Sequence, residues 1–193
     1  MPAESANRVE RLDLFLHGHS RAAAQSLLWT EARQVSISVS YFFVLAFGIG
    51  VVAGLRSLTA PAVVAWGAHL NWLNLHGSPL AFIGSTTAVA IFSLLAIGEL
   101  AADKLPMVGK RTAPGPLMAR ALTGGLCGAC LFGAAGKSLL AGMLLGATGG
   151  IVGAFLGYEV RRRLVSNLHI KDLIVAVCED VVAIALAVFV VSR

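Results

Sequence analysis

The chain has 193 residues, 57% of them hydrophobic and 13% charged, with 21 glycines and a mean hydropathy of +0.80. Such a composition excludes a disordered chain and an ordinary water-soluble core, and points to helices packed in lipid. The formal charge of +5 does not indicate nucleic acid, because the basic residues cluster beside apolar runs and are not interleaved with aromatics on one polar face.

Residues 1–35 mix Arg8, Arg11, Arg21 and Arg33 with Glu4, Glu10, Asp13 and Glu31, and lack the apolar core of a cleaved signal. They read as a cytoplasmic or membrane-surface segment, either a surface-lying helix interrupted near Gly18 or a loosely ordered tail. Residues 36–193 read as the transmembrane domain.

Within that domain five runs approach the ~20 residues that a bilayer core requires: 36–55 or beyond, 80–102, 117–134, 139–158 and 173–191. The expected fold is therefore all-α, a polytopic membrane bundle of about five spans. Apolar character continues past Arg56 to Leu70, so this stretch reads either as an extension kinked at Pro61 or as a short re-entrant helix. Lys104, Lys110 and Arg111 fall in the second connection, and Arg161, Arg162, Arg163 and Lys171 in the fourth. The first connection has only Arg56 at its edge and the third only Lys137. Basic connections alternating with nearly uncharged ones predict a cytoplasmic amino end and an external carboxyl end.

Glycines recur in the fourth run in two four-residue registers, Gly142, Gly146 and Gly150, and Gly149, Gly153 and Gly157; Gly50 and Gly54 do so in the first run. Small residues at this spacing let helices approach through backbone. A weak internal echo pairs Arg56-Ser57-Leu58-Thr59 with Arg120-Ala121-Leu122-Thr123, each followed by a glutamate, Glu99 or Glu159. Five-span topology sets the two arginines on opposite faces, which fits neither a parallel nor an inverted repeat.

Candidate functional residues are the charges inside apolar runs. Glu179 and Asp180 lie ~10 Å or more inside the last run, too deep for short acidic side chains to snorkel. Adjacent helical positions point about 100° apart, so the pair reads either as one acid contacting the second span while the other faces a cavity, or as two acids tied up by Arg56, Arg120 or backbone donors. Glu99 and Asp103, four residues apart, share a helix face at the end of the second run, where Arg120 from the third is a plausible counter-charge. Arg56 completes the set. Two readings stand: transport or channelling of a small cation or proton through these carboxylates, or ion pairs that merely pin helices in a membrane scaffold.

Cys127 and Cys130 sit three residues apart within a span, where they suit packing better than metal or redox work, since no histidine or second pair completes a tetrahedral site. No phosphate-cradling loop, nucleophile elbow or nucleotide fingerprint occurs. No enzymatic role, metal or cofactor is expected. The expected partners are the bilayer, a small cation or proton, and a second copy of the chain.

Ala53-Gly54-Leu55-Arg56-Ser57, Glu99-Leu100-Ala101-Ala102-Asp103-Lys104-Leu105-Pro106, Arg111-Thr112-Ala113-Pro114-Gly115-Pro116 and Glu179-Asp180 occur in order across roughly residues 40 to 190. In these motifs the chain resembles the family catalogued as domain of unknown function 4126. The resemblance implies a small multi-spanning protein of the bacterial inner membrane, and implies no biochemical role.

Overall fold

The computed structural model describes residues 40–102, 113–168 and 172–193. The expectations for residues 1–35 and for Asp103 therefore lie outside the described residues. Those described are helical and contain no strand. The helices are α1 (Ser40–Leu55), α2 (Thr59–His69), α3 (Thr86–Ala102), α4 (Pro114–Ala134), α5 (Leu139–Leu168) and α6 (Asp172–Val191), with a single 3₁₀ turn at Ala81–Gly84 before α3. Two of them, Pro114–Ala134 and the Leu139–Leu164 part of α5, are long and apolar enough to cross a membrane.

Contacts fix the direction of each helix. Near its start α1 sets Phe43 against Phe132, with ring centroids 5.5 Å apart, and Phe42 beneath the Lys137 ammonium. Near its end, Gly54 and Leu55 accept hydrogen bonds from Arg120. It therefore runs antiparallel to α4 and alongside α5. The chain then breaks at residues 56–58 and reverses. α2 begins against Glu99 and ends with Gly67 against Val191 and His69 bonded to the Gly84 carbonyl, while Gly48, far back in α1, also lies against Val190. α1 and α2 thus form a helical hairpin.

Of the two readings of the stretch past Arg56, the extension kinked at Pro61 is corrected: α2 is a separate short helix that runs back along α1. The start of α1, the 70–80 connection and Lys137 share one end of the bundle, and Arg56 lies at the other. Pro61 is not at a kink. It occupies the first turn of α2, where a missing N–H costs no helical hydrogen bond. The reversal also brings Arg56 and Arg120 to the same end, which removes the obstacle to reading α2–α3 and α4–α5 as a parallel repeat.

Glycine dictates the packing. The register Gly142, Gly146 and Gly150 faces α4, where any side chain would strike the carbonyls of Gly128, Gly124 and Arg120. The register Gly149, Gly153 and Gly157 faces α1, against the Phe47 and Val51 carbonyls and the Leu55 side chain. A side-chain carbon at Gly50 would in turn meet the Gly146 carbonyl. Two registers on one helix serve two neighbours at backbone distance. The outer surface is apolar: Leu94 is 70% exposed, Leu122 and Val44 69% each, whereas Arg56 and Arg120 are 1% and 6% exposed.

Candidate functional site

The break between α1 and α2 leaves two helix ends facing one another inside the bundle. The last carbonyls of α1 form a partially negative end and the first amides of α2 a partially positive one, and neither can reach water when buried. Other helices supply both caps. Arg120 of α4 donates from Nη1 to the Gly54 carbonyl and, at 3.1 Å, to that of Leu55. Glu99 of α3 accepts from the Ser57 amide at 2.8 Å and the Ser57 hydroxyl at 2.6 Å through Oε1, and from the Leu58 amide at 2.9 Å through Oε2. Leu58, at the N-cap position of α2, has no side chain able to do this work, so the cap comes from 41 residues away.

Arg56 occupies the break itself, and its guanidinium forms an ion pair with Asp180 of α6. The Asp180 side chain is 14% exposed against 1% for Arg56, so both charges are largely withdrawn from water. Arg56, Arg120, Glu99 and Asp180 carry two positive and two negative charges, a balanced set around one turn of backbone. The cluster is deep: Arg120 lies ~9 Å inside the first residue of α4 and Asp180 ~12 Å inside that of α6, at 1.5 Å per residue.

Glu179 points elsewhere. Its carboxylate is 3.9 Å from Arg161 of α5, beyond hydrogen-bond range, and it lines a cavity of about 410 Å³ between α1, α5 and α6. The two adjacent acids divide as their angular separation predicts, Asp180 toward Arg56 at the break and Glu179 toward Arg161 of α5. Asp180 meets Arg56, one of the two arginines expected to tie up the acid pair, and not the second apolar run. Arg120, expected as a counter-charge to Glu99 and Asp103, donates to the carbonyls at the end of α1. Glu99 instead holds α2.

Sequence reasoning did not single out Ser57, Leu58 or Arg161. Ser57 carried a signal in hindsight: a hydroxyl beside an arginine inside an apolar run marks a place where backbone needs polar help. Thr59, 4% exposed, adds a buried hydroxyl at the same turn. Cys127 and Cys130 are both fully buried, as free thiols, in the apolar core with Ile49 and Leu131. Among the described residues no group of three His, Cys, Asp or Glu side chains could hold a metal ion.

No curated protein and no solved structure matches the chain. The profile described as "Domain of unknown function (DUF4126)" matches residues 43–192, which include the whole charged cluster, and the chain belongs to that family.

Proposed function

We propose that this is an integral membrane protein that moves a small cation or a proton, using the α1–α2 hairpin as a re-entrant element. In this reading α3 to α6 cross the bilayer and the hairpin dips in from the face that carries the 70–80 connection and Lys137. The apolar outer surface supports the bilayer setting. So do exposed Trp66 and Trp72 at the end of the bundle where the hairpin enters, a position suited to interfacial aromatics.

The basic α3–α4 and α5–α6 connections then face the cytoplasm, together with the end of the bundle that holds Arg56 and Arg120. α1 starts on the opposite, external face, in place of the amino-end-inside arrangement predicted from charge counting alone. Labelling of single cysteines introduced at Asn74 and Lys110 should report opposite sides of the membrane. Labelling of both from one side would overturn the topology.

The observation that carries the transport reading is the interrupted backbone at residues 56–58, held inside the bundle by charge. Non-helical backbone at membrane depth is tolerated where it is buried in protein or lines a pathway, and interrupted helices are where transporters bind ions. Here Asp180 holds Arg56 while ionised. A proton or cation arriving at Asp180 would compete with the guanidinium and loosen the hairpin tip from α6, and Glu179, on the adjacent cavity, is placed to relay it. The described arrangement is then the closed state.

A second reading is favoured by one observation: Arg56, Asp180, Glu99 and Arg120 each hold a named partner, as expected of a scaffold that does not move. Flux separates the two. In proteoliposomes the wild type should dissipate an imposed cation or proton gradient, and Asp180→Asn or Glu179→Gln should abolish it while the protein remains folded. Intact, loaded vesicles in which wild-type protein carries no flux sink the transport reading. Loss of folding in both amide variants would point to the scaffold.

A further inference from the structure

We infer that the pocket between the end of α2 and the 3₁₀ turn is a surface site for a divalent transition ion, Cu2+, Ni2+ or Zn2+, with His69 and His76 as its protein ligands. The inference goes beyond the transport reading and does not depend on it. His69 is the last residue of α2, and His76 lies in the connection that follows. Both are exposed, and both line one cavity of about 240 Å³ together with Asn71, Gly84 and Ser85. At roughly 30 Å³ per water, that space accommodates an ion with several waters of its own. Residues 57–98 contain no Asp, Glu, Lys, Arg or Cys, so the two imidazoles are the only strong metal donors that this part of the chain brings to the pocket.

The His69 ring is already held as a ligand's would be. Its Nδ1 lies 3.0 Å from the Gly84 carbonyl, and since that oxygen can only accept, Nδ1 carries the hydrogen and the neutral ring keeps its lone pair on Nε2. A backbone carbonyl behind a metal-binding imidazole fixes the tautomer and raises the basicity of the nitrogen that binds. His76 is set by its backbone: its amide donates to Asn74 Oδ1 at 3.1 Å, between Leu75, buried in the core, and Gly77, whose φ of 83° turns the chain. At the start of the same connection the Trp72 and Leu73 amides donate to the Gly67 carbonyl at 2.8 and 3.1 Å, with Asn71 at a φ of 60°. The connection is thus folded back onto α2, and little ordering remains to be done when an ion arrives. Two protein ligands fall short of the three of a catalytic centre, so water fills the other positions and the bound ion is exchangeable. The absence of a carboxylate disfavours Ca2+ and Mg2+.

Full-length protein in detergent, free of any polyhistidine tag, would be titrated calorimetrically with Ni2+. One ion should bind per chain, undisturbed by an excess of Mg2+ or Ca2+. Bound Cu2+ should show coupling to two imidazole nitrogens by electron paramagnetic resonance, and should quench Trp66, whose ring centroid lies 6.2 Å from that of His69. His69→Gln and His76→Gln should each weaken Ni2+ binding about tenfold or more, since losing even an outer partner of a metal-binding histidine costs roughly 10–100-fold. His76→Gln keeps the bond to Asn74, which uses only the backbone, so its effect is separable from folding. His17→Gln/His19→Gln and His169→Gln, which alter the other three histidines of the chain, should leave the affinity unchanged. Retention of Ni2+ by the double variant His69→Gln/His76→Gln, its loss in either control, coupling of Cu2+ to a single nitrogen, or displacement by Mg2+ would each overturn the site.

Discussion

α1 is held in two chemically different ways. Along its length it meets α5 through glycines, where side chains are absent and backbone lies against backbone. At its end, and in the break that follows it, the chain meets α4, α3 and α6 through a guanidinium, a carboxylate and an ion pair. The first kind of contact has one geometry, since no rotamer can adjust it and any added carbon collides with a carbonyl. The second has two states, because protonation or a competing cation changes its energy without changing its shape. The difference separates a frame, α1 with α4 and α5, from a tip held by charge.

Substitutions can break the frame first. Gly146→Leu should be the most damaging change in the protein, because at Gly146 even a Cβ would collide with the Gly124 carbonyl and lie 3.1 Å from the Gly128 Cα, so the helices must separate. The expected loss exceeds the ~1–3 kcal/mol of ordinary overpacking, read as a collapse in folded yield in detergent. Near-normal yield would mean that the glycine contact is not the frame. At the tip, Asp180→Asn should leave the protein folded at a cost of about 1.5–3 kcal/mol, since the amide keeps the carboxylate's shape but not its charge toward Arg56. The double variant Arg56→Gln/Asp180→Asn should recover much of that in thermal stability, and strict additivity of the two single losses would deny the coupling. Glu99→Gln should be milder, at about 1–2 kcal/mol. One amide oxygen can still accept from Ser57, but the amide nitrogen would then face the Leu58 N–H, donor against donor. A glutamine variant as stable as wild type would remove Glu99 from the machinery of the tip.

The frame was largely legible in the sequence. Apolar runs of bilayer length anticipate α3 to α6, and the two glycine registers of α5 correspond to its two neighbours because a four-residue spacing keeps a helix face constant. The tip was legible only in its ingredients. Glu179, Asp180 and Arg56 stand out because charge in an apolar run demands an explanation, but which charge meets which depends on the reversal at residues 56–58. Nothing in the hydropathy of 36–70 marks that reversal, since both arms of the hairpin are apolar and the break is satisfied by groups from α3 and α4. The five-span reading set Arg56 at the end of the bundle opposite to Arg120 for the same reason, whereas the reversal brings both to one end.

The short turn between α4 and α5 has a consequence for how the chain assembles. Only residues 135–138 separate the two helices, with Gly136 at a φ of 64° closing the turn, and the surfaces they join are mainly glycine. Glycine has no rotamers to freeze, so this pairing forgoes the side-chain entropy that most helix contacts sacrifice, and it closes a loop of minimal length. α4 and α5 should therefore associate as soon as both have emerged from the ribosome, before α6 exists. Asp180 is made after that pair, so the α1–α2 break acquires its ion pair only once α6 has followed, onto a frame that is already closed.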